Sequence, residues 1–271
     1  MIEPSADSLV PLRATGSLSP LHCVHPVSGS PYCYAGLTGE LDADRPVFGF
    51  EAPGFDGVLE PAGSIRKLAE LHTATLRATR PHGPYRLLGW SLGGVVAYEM
   101  ARLLSAAAEE VPLLVIVDAA VPQSAPLPPE ETLARYFLYD FLGVTSDRAP
   151  GVDKAASGLP PGAQPLELFT AVEREGVVPE EFDAEFLLER YALFRTHVSA
   201  LRQHPLEGVH HGPAVVIKAA ESDDRLLDWS PHLSRLTEYT VLGDHHSIWQ
   251  GEGLTAIGHI VNQALREVTS A

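Results

Sequence analysis

Cysteine is almost missing from this 271-residue chain: there are two, Cys23 and Cys33, with no CxxC spacing and no partnering pair of histidines. No disulfide framework can be built from them, zinc is not expected, and such sparse usage suits a reducing cytoplasm. Blocks of Lys or Arg are absent too, and the formal charge is -16 with a pI near 5.1. Without a basic patch, nucleic acid and anionic membranes are repelled, so neither is expected as a partner. The longest apolar runs are short, and "VPLLVIV" stops at Asp118. No membrane span is expected. The opening "MIEPSADSLVPLRAT" lacks the basic start and apolar stretch of a signal peptide. Prolines and glycines, 23 of each, are scattered without a period, which leaves no sign of an internal repeat.

What is present is enough apolar material for a core, 45% of residues, in a length that suits one domain enlarged by an insertion. Strand-like segments lie at 21–25, 46–50, 85–90, 112–118, 214–219 and 238–243. Several are apolar on both faces, as parallel strands covered by helices on either side must be. Helical periodicity covers 64–79, 92–107 and 253–268, so strand and helix alternate and the class is α/β. The alternation breaks between Pro122 and Pro213. Two amphipathic segments there, "PPEETLARYFLYDFLG" and "DAEFLLERYALFRTHVSALRQ", flank "SDRAPGVDKAASGLPPGAQP", which reads as a mobile connector. The second carries Leu187, Tyr191, Phe194, Val198 and Leu201 on one stripe. A helical insertion over the mouth of the sheet accounts for this stretch, and helices that merely extend the core are the alternative.

The segment "YRLLGWSLGGVVAYEM" places Ser91 in a G-x-S-x-G, after a strand and before a helix. That is the context of a nucleophile elbow, a turn so tight that side chains at 89 and 93 would clash. A serine hydroxyl is a poor nucleophile until a base takes its proton, and the base needs an orienting carboxylate. In folds of this order both lie downstream, acid before histidine. "LGDHHSIW" follows the last strand and offers His245 or His246 in a loop that Gly243 frees and Ile248 can anchor. His72, His82, His197, His204 and His232 lack that placement. Two candidate acids sit at carboxyl ends of strands, where open α/β sheets bind ligands: Asp118, 27 residues beyond Ser91, and the Asp223–Asp224 pair.

Together, "PLRATGSLSPLHCVHPVSGSPYCYAGL", "VFGFEAPGFDG", "GPYRLLGWSLGG", "VIVD" and "GDHHSI" resemble the type I thioesterase domains that end nonribosomal peptide and polyketide assembly lines. The likeness extends from about residue 9 to 268. It implies an α/β-hydrolase fold with a mostly parallel sheet and an inserted helical lid. The implied division is a linker at 1–20, a core at 21–124 and 206–271, and a lid at 125–205. It favours Asp118 as the acid, with Asp223 or Asp224 as the alternative, and His245 as the base, with His246 lining the site. "HPVSG" resembles the family's oxyanion loop, which assigns the donors to the Val27 and Leu92 amides, with Pro26 and Gly29 stiffening the loop.

The resemblance further implies that no cofactor is bound by the domain itself. The substrate, a peptidyl or acyl thioester, arrives on the phosphopantetheine arm of an upstream carrier protein, and "DSLVPLRATGS" corresponds to the linker after that carrier. Arg66, Lys67, Arg77 and Arg80 on one helix are candidates for docking it, or simply a solvated face. The expected activity is chain release through an acyl-serine, by hydrolysis or macrocyclisation. A type II editing thioesterase, a generic serine esterase and a catalytically silent binding module are the alternatives.

Overall fold

The computed structural model describes residues 8–57 and 59–268. Seven strands form one sheet in the order β1-β3-β2-β4-β5-β6-β7, with β1 Leu9–Arg13, β2 Leu21–Val24, β3 Val47–Phe50, β4 Arg86–Trp90, β5 Leu113–Val117, β6 His210–Ala219 and β7 Leu233–Val241. Only the β1–β3 pairing is antiparallel. Every residue of β2, β4 and β5 is buried, as central strands covered on both faces require. One face is covered by α2 Ile65–Thr79 and α3 Leu92–Ala106, the other by α1 Ala35–Glu40 and α8 Gly251–Glu267. This is the mostly parallel, helix-flanked α/β sheet that the strand patterning implies.

Strand β1 falls inside the stretch expected to be linker. Its "LVPLR" carries a proline and half-buried side chains, and it pairs on one side only. Proline is tolerated at such an edge because no ladder donor is needed on the open side, so the segment looks irregular in sequence yet pairs in the fold. Residues 1–7 of that linker lie outside the described residues.

Between β5 and β6 the chain leaves the sheet as α4 Glu130–Leu142, α5 Pro150–Ser157, α6 Pro165–Arg174 and α7 Ala184–Arg202. The stretch expected as a mobile connector is therefore largely structured: a 3-10 turn at Ser146–Arg148, then α5, started by Pro150 and packed through Val152, Ala155 and Ala156. Its proline and glycines mark helix ends, Pro150 opening α5 and Gly158 closing it. Helices α4, α6 and α7 share an aromatic core in which the Phe137 ring lies 5.4–5.7 Å from those of Phe169, Tyr191 and Phe194. Leu187, Tyr191 and Phe194 of the expected α7 stripe are buried there, while Val198 and Leu201 are only partly covered.

Helix α7 meets the sheet through three fully buried histidines. The His25 ring, just after β2, stacks on His197 of α7 at 5.3 Å and meets the edge of His72 of α2 at 5.2 Å. Burial disfavours their charged forms, holding His72 at about 3, His197 at about 4 and His25 well below its usual value. His22 is lowered to about 4 for the same reason. An unfolded chain protonates these rings near pH 6.5. Their contribution to stability is thus complete above that pH and is lost as pH falls toward the folded values. The midpoint of urea unfolding should decline between pH 6.5 and about 4, and His72→Phe should flatten the decline. A midpoint that stays level over this window would contradict neutral packing of the trio.

Candidate functional site

The strand order places β2 beside β4 while β3 lies beyond β2, so the chain reverses its direction of progress across the sheet at the β2/β4 boundary. Crevices open at such switch points, outside the carboxyl ends of the strands. The residues after β2 and β4 are "HPVSG" and Ser91. Tyr34, buried in the turn that follows "HPVSG", joins the two ends: its hydroxyl donates to the Val24 carbonyl at 2.6 Å and accepts from the Trp90 amide at 2.9 Å. Nothing in the sequence singles out Tyr34, which is buried at the end of a turn whose Tyr32 is exposed.

Ser91 has φ 57° and ψ -130°, a strained conformation for a residue with a side chain, and it lies at the N-terminal end of α3. The glycines on either side are explained by backbone approach. A Cβ on Gly89 would lie 2.0 Å from the Gly93 carbonyl oxygen, and one on Gly93 would lie 2.3 Å from that of Val24. The elbow is thus pressed against the end of β2, which places the Leu92 amide and the "HPVSG" loop side by side. That loop is a tight turn, closed by Gly29 N–H donating to Pro26 O at 3.0 Å with Gly29 at φ 87°. Its Val27 carbonyl accepts from the His197 Nδ1–H at 2.8 Å, so a lid helix fixes the plane of a peptide in the loop. His197 was set aside in the sequence because nothing local ties it to the serine.

Asp118 follows β5 at φ 42° and is buried. One carboxylate oxygen accepts from the Ala219 amide at 2.8 Å; the other accepts from the Ser222 hydroxyl at 2.8 Å and from His245 Nδ1 at 2.6 Å. Burial alone would raise its pKa, but these hydrogen bonds and the imidazole charge outweigh it and the net shift is downward. Because Nδ1 faces a carboxylate it carries the proton, which leaves the Nε2 lone pair of His245 free. The His245 ring packs 5.0 Å from that of Trp90, the residue before Ser91.

Asp223 and Asp224 are exposed and turned to other partners, Arg225 at 2.9 Å and Lys218 at 3.8 Å. The histidine loop is ordered by Asp244, which accepts from the amides of His246 and Ser247 at 2.9 and 2.8 Å and pairs with Arg148 of the lid connector at 2.8 Å. Ile248 is fully buried beneath it.

Val27, Ser91, Leu92 and His246 line one cavity of about 410 Å³, roofed by Tyr136, Tyr139 and Val144 from the lid and by Phe194 and Val198 of α7. Burial lowers His246 to about 4, so it lines the cavity as a neutral ring. Chemically the arrangement offers a hydroxyl at a helix N-terminus, backbone amides that can face a carbonyl oxygen, and an imidazole whose tautomer a carboxylate has set.

Three substitutions probe it. Asp118→Asn should slow phosphonylation of Ser91 by a fluorophosphonate on the order of 10⁴-fold while Asp223→Asn leaves it unchanged, followed by mass spectrometry of the intact chain. His197→Phe keeps a stacked ring but removes the donor to Val27; a fall of about 10² in the same rate is expected, the size of losing one oxyanion contact.

Comparison with known proteins follows the same lines. A thioesterase-domain family model matches residues 19–264. A probable non-canonical nonribosomal peptide synthetase, CymA of Salinispora arenicola, is 32% identical over 97% of this chain, and a dimodular nonribosomal peptide synthase of Bacillus subtilis is 29% identical over 97%. The chain spans only 3% and 11% of those two proteins. Among solved structures, the four-domain nonribosomal peptide synthetase holo-AB3403 aligns with a TM-score of 0.79 at 25% identity, over 94% of this chain and 20% of that one. The NocB thioesterase domain aligns at 0.67 with 24% identity, over 96% of this chain and 99% of that one. The type II thioesterase YbtT aligns at 0.70 with 20% identity, over 96% and 99%. Those last two are likenesses of fold. With a family model spanning most of its length, the chain belongs to the thioesterase domain family, hydrolases on the α/β-hydrolase fold.

Proposed function

We propose that this chain is a chain-terminating thioesterase domain that releases a peptidyl or acyl chain from a phosphopantetheinyl carrier protein through an acyl-Ser91 intermediate. The observation that carries this reading is the 2.6 Å contact between Asp118 and His245, made beside the strained serine elbow and beneath a lid. Its assembly-line setting is supported by relatives of which this chain matches only a small part.

Ser91 Oγ attacks the thioester carbonyl as His245 Nε2 takes its proton, and the imidazolium formed is stabilised by Asp118. Negative charge develops on the carbonyl oxygen and is met by the Val27 and Leu92 amides, the elbow fixing the first turn of α3 and the His197 contact fixing the peptide that follows Val27. The C–S bond breaks, the thiolate takes the proton from His245, and pantetheine leaves. A second nucleophile then gives its proton to the same Nε2 and attacks the acyl ester. Water yields the free acid; a hydroxyl or amine of the chain itself yields a ring. The apolar roof favours the second course by holding water off and folding the chain back, which replaces a bimolecular encounter with an intramolecular one.

The upstream carrier docks on the body of the domain. Of the four basic residues considered for this, Arg66 and Arg77 already pair with Glu70 at 3.2 Å and Glu109 at 3.4 Å. Such exposed pairs are weak and leave both residues able to exchange partners.

A panel of peptidyl and short acyl thioesters of N-acetylcysteamine tests the reading. Peptidyl thioesters should be turned over with a trappable acyl-Ser91, and a product lighter than the free acid by one water marks ring closure. Efficient turnover of acetyl thioesters with neglect of longer chains would instead assign an editing thioesterase. Absence of any Ser91 adduct would remove the enzymatic reading altogether.

A further inference from the structure

Asp140, near the end of α4, stands at the junction of two cavities. It lines the one that holds Ser91, and also a neighbouring one of about 420 Å³ bounded by Pro26, Trp90 and Trp249. Among the described residues, no hydrogen bond is made to its carboxylate and no cation pairs with it. Arg135 and Arg148, the arginines on either side of it in sequence, are committed to Glu131 and Asp153 and to Asp244 and Glu221. No Lys or Arg lines either cavity, and the histidine shared by both, His246, is neutral. Asp140 is half-buried between walls of mixed character, Val144, Phe141 and Trp90 alongside Thr145 and Ser146; partial desolvation without a partner disfavours its ionised form and raises it to about 6, a shift opposed by the charge of His245. Proteins keep such a group where a ligand supplies the missing partner. Tyr136, one turn earlier on the same face of α4, lines the Ser91 cavity too and is half exposed. A carboxylate beside an aromatic ring is a recurrent environment for an ammonium group, which one meets by hydrogen bonding and the other through its π face.

We propose that Asp140 and Tyr136 form a subsite for a protonated amine carried by the acyl chain, so that the substrates of this domain are amine-bearing acyl or peptidyl thioesters. The inference deepens the release function and rests on Ser91 as the acyl acceptor in that cavity. An acyl chain with a carboxylate in this position would meet an uncompensated negative charge, and a neutral chain would leave Asp140 without a partner. The subsite therefore discriminates in two directions.

Binding and turnover are measured separately on the whole chain. The binding probes are two pantetheine amides in which N–H replaces the thioester sulfur, one of ε-aminocaproic acid and one of heptanoic acid, equal in length and differing only in a terminal amine or methyl. The amine probe should bind about 10- to 100-fold more tightly, the span expected for a charge-assisted contact. Asp140→Asn should erase that preference while leaving heptanoyl binding within about twofold. The corresponding thioesters should show the same loss in kcat/KM. Equal affinity of the two amides for the natural chain would overturn the subsite, as would an Asp140→Asn effect that falls equally on amine and methyl thioesters, which would mean that Asp140 acts on His245 rather than on substrate. The two readings fail separately: an Asp140-dependent amine preference in binding with no adduct at Ser91 keeps the subsite and removes the release function. Acylation of Ser91 without that preference does the reverse.

Discussion

Everything at this site depends on how closely two backbones approach at the β2/β4 boundary. Gly93 lies so near the end of β2 that a single Cβ would strike the Val24 carbonyl, and Gly89 lies as near to Gly93 itself. That contact strains Ser91 at a half-buried position, sets the start of α3 beside the "HPVSG" loop, and brings Val27, Ser91 and Leu92 to the wall of one cavity. Tyr34 makes the approach permanent by tying the Val24 carbonyl to the Trp90 amide with one hydroxyl.

The helical insertion is attached to this site rather than merely laid over it. Its longest helix reaches the body through the stacked rings of His197 and His25, and His197 also holds the Val27 carbonyl. Arg148, from the connector between lid helices, reaches Asp244 under the histidine loop. Two of the segments that meet at the candidate site thus have a direct hydrogen bond or ion pair to the insertion, and a movement that broke these contacts would loosen both the "HPVSG" loop and the loop that carries His245. Because the three histidines at the junction are buried and uncharged, the α7 part of the attachment works by packing and one neutral hydrogen bond and is insensitive to salt in a way that the half-exposed Arg148–Asp244 pair is not.

Within the cavity, polarity is rationed. Asp118 is saturated by an amide, a hydroxyl and an imidazole, which lowers its pKa, while Asp140 has no such partners and moves the opposite way. Two carboxyls that both feel the charge of His245 are thereby given different characters, one by hydrogen bonds that outweigh its burial and the other by desolvation without them. The first fixes a tautomer. The second is left to whatever enters the cavity.

The sequence by itself determined the class of fold and the candidate chemistry, because both are written in local patterns. Doubly apolar strands alternating with amphipathic helices require a covered parallel sheet. G-x-S-x-G between a strand and a helix requires a strained elbow. Asp118 was legible as a strand-end carboxylate, but so were Asp223 and Asp224, and nothing within a short window separates a carboxylate that accepts from an imidazole 127 residues away from one that pairs with its neighbour Arg225. Only the tertiary structure decided that, by the register that places the end of β5 beside β6 and the histidine loop after β7. It also decided what "LVPLR" and the proline-rich connector become, an edge strand and a packed helix, since pairing on one side and burial of three small residues are properties of neighbours and not of the segments. His197, Tyr34 and Asp140 escaped the sequence for the same reason: an isolated histidine, tyrosine or aspartate gains a role only from what the fold puts next to it, or fails to.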